Sequence, residues 1–375
     1  MTALLEVDAD GVLEEFFERG WTDGLPVVPP TPGRVDAMLA GYDLERDEVI
    51  GTIPRRNRSV TAEQMAVNAV MAGCRAEYFP VVIAAMSALL DPAFNAHMTF
   101  TSTGGAASAV VVSGPLAEQI GMNSTANALG SGNRANATIG RAVRLVARNV
   151  FGATTDNMDA SAMGHPGKFT LCFAEHEPSA PWHPLRVQLG YELPDTTVTV
   201  LASESPRQVA NHLNEDPEGV LATLASAMRV PGSYPVGKGG QGIVVLCPEH
   251  ELALRQAGWT QRRVREFLRE HTRISPEELA AAGVLLELGN QHDQTPESDG
   301  KLPSFRSADD ILLVTAGGPG PGWSAYIPSF GPLPHTRYVT RRVRPAGEAP
   351  PECGDDACEV DLSAPGKTAT VLRSV

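Results

Sequence analysis

Unbroken apolar runs and amphipathic stretches alternate along this chain and predict its helices and strands. Residues 61–74 and 80–90 are apolar on nearly every side of a helix, so both helices are predicted to be buried. Short apolar runs bounded by turn residues predict buried strands. These runs lie at residues 107–114, 168–174, 196–202, 242–246, 310–315 and 337–343.

Three other segments have weaker patterns. Residues 97–103 alternate in polarity and predict a strand, whereas residues 135–150 and 206–214 predict helices. Strands alternating with helices indicate an α/β fold with mixed β-sheets flanked by helices, in two intimately packed subdomains. We expect these subdomains at residues 1–195 and 196–345, followed by an acidic C-terminal tail at residues 346–375.

An internal similarity links residues 109–121 with residues 243–258. Both stretches read as a buried strand, a small residue, a proline, an acidic helix and a terminal glycine. Duplication would produce this pattern, and so would the common requirements of a strand-turn-helix unit. The sequence leaves the two explanations open.

The composition is acidic and excludes several functions. The formal net charge of -14 disfavours nonspecific nucleic-acid binding, which requires a cationic surface. No apolar run approaches the roughly 20 residues of a membrane span, and the N-terminus is acidic where a signal peptide is basic. We therefore expect a cytoplasmic protein that binds no membrane, and its five cysteines are expected to be thiols.

Residues 119–155 contain no acidic side chain, and we call them the acid-free segment. A Gly/Asn-rich loop there leads into a helix, and the N–H groups at a helix start attract anions. We predict that the loop and first helical turn bind a carboxylate or phosphate, through Gly132, Asn133, Arg134, Asn136 and Thr138. Residues 130–135 also fit a loose dinucleotide-binding pattern, but no strand is predicted before them, as that motif requires.

Three arginines later in this helix, Arg141, Arg144 and Arg148, are spaced to share one side, which we call the arginine face. They could contact solvent, a ligand, or acidic residues of another helix or subunit. The sequence leaves these alternatives open.

Two cysteines are candidate nucleophiles. Cys247 and His250 follow a predicted buried strand and open a helix, where a thiolate would be stabilised and the imidazole could act as a base. Cys74 is the last residue of the predicted buried helix at residues 61–74, just after Gly73. The alternative for both cysteines is simple packing, because free cysteine is often buried.

Further candidates are distributed along the chain. His165, His176 or Asp23 could transfer protons, and a glycine-rich turn at Gly317 and Gly318 would let a ligand approach the backbone. Histidines are not paired at metal-binding spacings, so we predict neither a metal site nor a tightly bound nucleotide cofactor.

Three stretches, at residues 21–31, 61–82 and 132–145, together resemble an uncharacterised bacterial family. Its members are often encoded near small proteins with a Cys/selenocysteine-Gly-Ser-Cys motif, which this chain lacks. The likeness continues through residues 164–177 and the AGGPG turn, and thus covers most of the chain. The resemblance implies thiol or redox chemistry, and a small thiol or selenol protein as a partner.

These observations favour an enzyme acting on a small anionic metabolite, carboxylated or sulfur-containing, by hydrolysis, elimination or group transfer. Such an enzyme would be a lyase, a transferase or a hydrolase, and we expect a homo-oligomer. One alternative is a noncatalytic subunit that docks an acidic or thiol-bearing protein through the arginine face. Another is a nucleotide-dependent oxidoreductase.

Overall fold

Helices and mixed β-sheets make up the protein, which confirms the predicted α/β fold. The structure is a computed structural model that describes residues 11–42, 44–212, 216–284, 295–320, 322–333 and 335–344. The predicted acidic tail lies outside the described residues. Among these residues no single helix has both the length and the apolar character to cross a membrane, although a bent pair of helices would pass on length and composition alone.

Twelve helices are described. They are α1 (Val12–Glu18), α2 (Pro32–Leu39), α3 (Ala62–Ala72), α4 (Phe79–Leu89), α5 (Ala96–Thr101), α6 (Pro115–Gln119), α7 (Arg134–Asn149), α8 (Leu185–Gln188), α9 (Pro217–Met228), α10 (Pro248–Gln256), α11 (Gln261–His271) and α12 (Pro276–Ala281). The strands of the described residues are β1 (Val49–Ile53), β2 (Arg58–Thr61), β3 (Ala107–Ser113), β4 (Cys172–Ala174), β5 (Thr197–Ser203), β6 (Arg207–Ala210), β7 (Gly242–Leu246), β8 (Ile311–Thr315), β9 (Trp323–Pro328) and β10 (Val339–Arg342).

Two four-stranded sheets share one topology, and β1 and β2 form a separate hairpin. The first sheet has the order β10-β5-β3-β4 and the second has the order β6-β9-β7-β8. In the first sheet β3 is parallel to β4 and antiparallel to β5. In the second sheet β7 is likewise parallel to β8 and antiparallel to β9. Each half of the chain contributes one edge strand to the sheet of the other half. Strand β6 follows β5 but joins the second sheet, and β10 follows β9 but joins the first.

Alternating side chains pack the two sheets face to face between helices. On β3, Ala109 and Val111 pack against the inner face of the second sheet, including Ile243 and Val245. The other face of the first sheet packs on α3, α4 and α7, and that of the second sheet packs on α9, α10 and α11. The protein therefore has four layers, in the order helix, sheet, sheet, helix.

An approximate two-fold axis passes between Ser203 and Ser329, which pair at the ends of β5 and β9. The flanking hydrogen bonds are symmetric. The amide of Glu204 donates to the Pro328 carbonyl at 3.0 Å, and the amide of Phe330 donates to the Ala202 carbonyl at 2.7 Å. The shared topology and this symmetry support the internal duplication that the sequence similarity suggested.

The symmetry also matches individual positions at the carboxyl ends of the parallel strands. The last pair of β3 and β4 is Val112 with Ala174, and the last pair of β7 and β8 is Leu246 with Thr315. Each is followed by the same backbone hydrogen bond, from Glu175 in one sheet and from Ala316 in the other. Ser113 therefore corresponds to Cys247.

Three segments depart from the sequence predictions. Residues predicted as a strand at 97–103 form α5, which Asn95 caps by accepting from the Met98 amide. The predicted helix at 206–214 contains β6 instead, because pairing with β9 determines its conformation. Strand β9 was not predicted, since glycine and proline precede it and a proline ends it.

Candidate functional site

A cleft of about 380 Å³ opens at the carboxyl ends of β7 and β8. Its size is within the range of small-molecule sites, and strand ends are where α/β proteins commonly bind ligands. The described residues that line it come from both halves of the chain and carry no charged side chain. They are Ala126, Asn127, Ala128, Leu129, Gly130, Gln208, Val245, Cys247, Ala316, Gly317, Gly318, Pro319, Gly320, Trp323, Ser324 and Ala325.

Two loops meet backbone to backbone at one wall of the cleft. A Cβ at Gly318 would lie within 2.9 Å of three Ala126 atoms, so only glycine allows this approach. Gly317 has a φ of 123°, which also favours glycine, and its amide donates to the Ser124 carbonyl at 2.9 Å. The predicted glycine turn thus joins the acid-free segment to the second sheet.

Cys247, His250 and Ser324 form a buried cluster after the end of β7, which we call the open strand end, and Cys247 and Ser324 line the cleft. The Ser324 Oγ lies 2.7 Å from His250 Nδ1 and 3.6 Å from Cys247 Sγ, and it accepts from the Cys247 amide at 3.1 Å. Cys247 precedes α10 and His250 lies in its first turn, while Ser324 comes from β9. The two candidates from the sequence are therefore connected through a third side chain.

The hydrogen bonds define the tautomer of His250. Its Nε2 lies 3.0 Å from the Asn211 carbonyl oxygen, which can only accept, so this nitrogen carries the hydrogen. In the neutral imidazole, Nδ1 is then the acceptor of the Ser324 hydroxyl hydrogen. The ring is oriented from one side by a backbone carbonyl and presents a basic nitrogen to Ser324.

Burial raises the pKa of the Cys247 thiol, although the His250 amide and the Ser324 hydroxyl act to lower it. Burial is the largest influence on this pKa, so it opposes the thiolate that the sequence predicted at this helix start. A nucleophilic role for Cys247 then requires a base, and Ser324 links its thiol to His250.

Glu249 supports the loop that forms the outer wall of the cleft. Its Oε1 accepts from the Gly320 amide at 2.8 Å, while Oε2 is buried and has no hydrogen-bond partner among the described residues. Its charge also acts to raise the pKa of the Cys247 thiol. A carboxylate in this position disfavours the thiolate further.

The start of α7 uses its polar side chains internally. Asn133 caps the helix by accepting from the Asn136 amide at 3.0 Å, and Asn136 is buried and bonds both backbone groups of Asn123. Arg134 donates to the Gly73 carbonyl, and the Thr138 hydroxyl donates to the Arg134 carbonyl. These predicted ligand contacts are not among the cleft-lining residues, and Asn136 also donates to the Ala128 carbonyl of the loop at 126–130, which does line the cleft.

The arginine face binds other parts of the same chain. Arg141 makes two hydrogen bonds to the Asp23 carboxylate, at 2.7 and 2.9 Å, and Arg144 pairs with Asp159 at 2.6 Å. Arg148 donates to the Gly20 carbonyl. Burial raises the pKa of Asp159, but Lys168, Ser161 and Arg144 together lower it to about 2. The two hydrogen bonds from Arg141 hold Asp23, a candidate for proton transfer, in an ion pair.

The remaining candidates do not join the cluster. His165 Nδ1 accepts from the Gly167 amide and its Nε2 faces the Ser203 carbonyl at 3.4 Å, while burial lowers its pKa. His176 is exposed, and its amide donates to Thr315. Cys74 is buried with its thiol on the Thr138 carbonyl, and burial raises its pKa to about 12.

A second cluster, missed from the sequence, occupies the matching position in the first sheet. It comprises Ser113, Glu175 and Arg186, and we call it the closed strand end. The Ser113 hydroxyl and the Leu185 amide both donate to the buried Glu175 carboxylate. Burial raises the pKa of Glu175 to about 8 despite these donors. The sequence signal for this cluster was a charged residue, Glu175, directly after an apolar strand.

Ser324 was the other residue that the sequence did not indicate. It lies in the unpredicted β9, and a serine after a glycine- and proline-rich turn has no distinctive pattern. Within the described part of the chain, no three His, Cys, Asp or Glu side chains are grouped so as to hold a metal ion.

Comparison with known protein families finds no match to this chain. Comparison with curated proteins likewise finds no significant match.

Proposed function

We propose that this protein is an enzyme that hydrolyses or transfers an acyl group of a small molecule through Cys247. The observation that carries the proposal is the position of the Ser324 hydroxyl, 2.7 Å from His250 Nδ1 and 3.6 Å from Cys247 Sγ. Cys247 and Ser324 line a cleft large enough for a small metabolite, and His250 contacts Ser324. A nucleophile, a base and a group that orients the base are the parts that covalent acyl transfer requires.

In the proposed first step, Cys247 Sγ attacks the carbonyl carbon of the substrate. The thiol proton passes to Ser324 Oγ while the Ser324 proton passes to His250 Nδ1, so the hydroxyl is regenerated and the imidazolium forms. Collapse of the tetrahedral adduct expels the leaving group, which takes the proton from His250. Water or another acceptor then attacks the thioester by the reverse path and restores the thiol.

The protonated state of the thiol supports a relay rather than a preformed thiolate. Burial raises the Cys247 pKa, so the sulfur needs a base at the moment of attack. The Asn211 carbonyl, 3.0 Å from His250 Nε2, stabilises the imidazolium that forms. Thiol chemistry is also what the resemblance to the bacterial family implies.

The lining of the cleft favours an uncharged reacting group. The described lining residues supply amides, at Asn127 and Gln208, but no cation to pair with a carboxylate. Arg134, which was expected to bind an anion, donates to the Gly73 carbonyl, and Arg141 and Arg144 pair with carboxylates of the same chain. We therefore place the substrate among neutral esters or thioesters, and retain the anionic metabolite as the alternative that a competition assay would detect. No specific contact favours the docking subunit or the oxidoreductase.

The experiment incubates the purified full chain with S-acetyl-N-acetylcysteamine and with p-nitrophenyl acetate. We expect turnover, and at short times a protein mass increased by one acetyl group that peptide mapping assigns to Cys247. Cys247→Ala should form no adduct on this peptide. Cys74→Ala is the matched control, since it removes another buried thiol and should still be acylated.

Two results would overturn the proposal. One is the absence of both adduct and turnover above the spontaneous rate with either substrate, in protein shown to be folded by circular dichroism. The other is equal labelling of the wild type and Cys247→Ala, which would place the nucleophile elsewhere.

A further inference from the structure

The outer end of the cleft carries an aromatic side chain that the reaction above does not use. Trp323 opens β9 and lines the cleft, yet half of its surface (50%) is exposed. Its ring centroid is 5.0 Å from that of His212, in a tilted arrangement. Leu129 from the opposite loop is also exposed and lines the same cleft.

The strand register places this ring beside the proposed nucleophile. Val245 of β7 pairs with Ala325 of β9, so Cys247 and Trp323 come together at the same end of the two antiparallel strands. Trp323 is also adjacent in sequence to Ser324. Neighbouring residues of a strand point to opposite faces, so the hydroxyl faces α10 while the indole lies on the side of the first sheet.

We infer that Trp323 forms a subsite for an aromatic, uncharged acyl substituent. The inference rests on the proposed function and specifies its substrate class. An exposed indole can stack on a planar ring and remove both apolar surfaces from water. The apolar lining residues nearby, including Leu129 and Pro319, and the lack of charged side chains among the described lining residues fit such a group.

The test compares two neutral thioesters that differ only in the acyl group, S-phenylacetyl- and S-acetyl-N-acetylcysteamine. In Trp323→Ala we expect kcat/KM for the phenylacetyl compound to fall about tenfold, an effect typical of a lost aromatic contact together with its buried area. The acetyl compound should change less than twofold, and Trp323→Phe should retain most of the phenylacetyl activity. Trp21→Phe, at another exposed tryptophan, is the matched control.

A binding measurement separates this inference from the proposed function. The probe is the amide analogue of the phenylacetyl compound, in which nitrogen replaces the thioester sulfur, and the signal is tryptophan fluorescence of Cys247→Ala. We expect quenching that is lost in Cys247→Ala/Trp323→Phe, because Trp182 and Trp259 are buried and Trp21 is not among the residues that line the cleft. Quenching without turnover of either thioester would reject the reaction but keep the subsite.

Turnover in which Trp323→Ala slows both thioesters equally would reject the subsite but keep the reaction. Quenching by the amide that persists without Trp323 would also reject the subsite. Absence of quenching in protein that turns over the phenylacetyl compound would do the same.

Discussion

The two matching strand ends of this protein differ in what fills them. At the closed strand end, the buried carboxyl group of Glu175 accepts from Ser113 and Leu185, and Arg186 donates to the Leu193 carbonyl beside it. At the open strand end, Cys247 replaces Ser113 and Ala316 replaces Glu175, and a cleft is present. The same topology thus surrounds a hydrogen-bonded network in one half and a cleft lined by Cys247 and Ser324 in the other.

This difference lies in how the two symmetric halves fill equivalent positions. The carboxylate of Glu175 forms an internal network, whereas the small Ala316 leaves space at the equivalent position. The glycines at 317 and 318 then let the first half reach across and line that space. The exchanged edge strands also join the halves, because each sheet takes one strand from the other half of the chain.

The largest expected effect comes from comparing His250→Gln with Glu175→Gln. Loss of the base should lower kcat for the acetyl thioester about 10²–10⁴-fold, as is usual for a general base. Glu175→Gln keeps the shape of the closed strand end and should change kcat less than twofold. Initial rates across pH 6 to 9 provide the measurement.

A similar loss of activity in both variants would remove the functional distinction between the strand ends. So would a His250→Gln enzyme with full activity. Thermal melting of both variants serves as the control for folding, because His250 is buried and bonded on both nitrogens.

The sequence predicted most of the elements that form these strand ends, because buried strands and helices have strong local patterns. The runs that became β3, β7 and β8 could be recognised from their apolar residues alone. Strands β6 and β9 could not, since β6 is half exposed and β9 follows a glycine-rich turn. Their pairing with each other is a tertiary contact between residues more than a hundred positions apart.

The candidate site was predicted only in part, because local patterns identified some of the strands that carry it and not others. Cys247, His250 and the glycine turn adjoin strands that the sequence indicated, whereas Ser324 adjoins none. Arg134 was interpreted as a ligand contact because its partner, the Gly73 carbonyl, is 61 positions away. The role of Arg141 stayed open because its partner, Asp23, is 118 positions away. Charge composition singled out the acid-free segment but could not identify the atoms that its side chains contact.

The second largest effect concerns the pH dependence of stability at the closed strand end. The pKa of Glu175 rises from an ordinary 4.5 to about 8 on folding, so the native state binds its proton more tightly than the unfolded state. Its contribution to the free energy of unfolding is therefore full below about pH 4.5 and is lost as the pH rises toward 8. Between pH 5 and 8 the wild type should lose on the order of 3 kcal/mol relative to Glu175→Gln.

Urea denaturation of both proteins at each pH measures this difference. Glu177 raises the pKa of Glu175 and Arg186 lowers it. Both residues are present in both proteins, so their own contributions to the free energy of unfolding cancel in the comparison. A difference that is constant with pH would mean that Glu175 is ionised throughout.

A smaller effect is expected where the two halves meet at the cleft. Gly318→Ala would place a methyl group within 2.9 Å of the Ala126 backbone, so one loop must move, at a cost of about 1–3 kcal/mol. Gly320→Ala is the matched control, because no atom lies within 4 Å of its Cβ position. Chemical denaturation should distinguish the two, and equal stabilities would show that the loops are not in close contact.

The smallest effect tests the acid-free segment against the open strand end as the place where ligand binds. Arg134 is partly exposed and donates one hydrogen bond to the Gly73 carbonyl, apart from the residues that line the cleft. Arg134→Ala should therefore change the affinity for a cleft ligand by less than about 0.5 kcal/mol, as for most surface substitutions. Fluorescence titration of the Cys247→Ala background with the phenylacetyl amide measures it. A loss of about 1–3 kcal/mol would instead indicate a charge-assisted contact with the ligand and return the binding site to the start of α7.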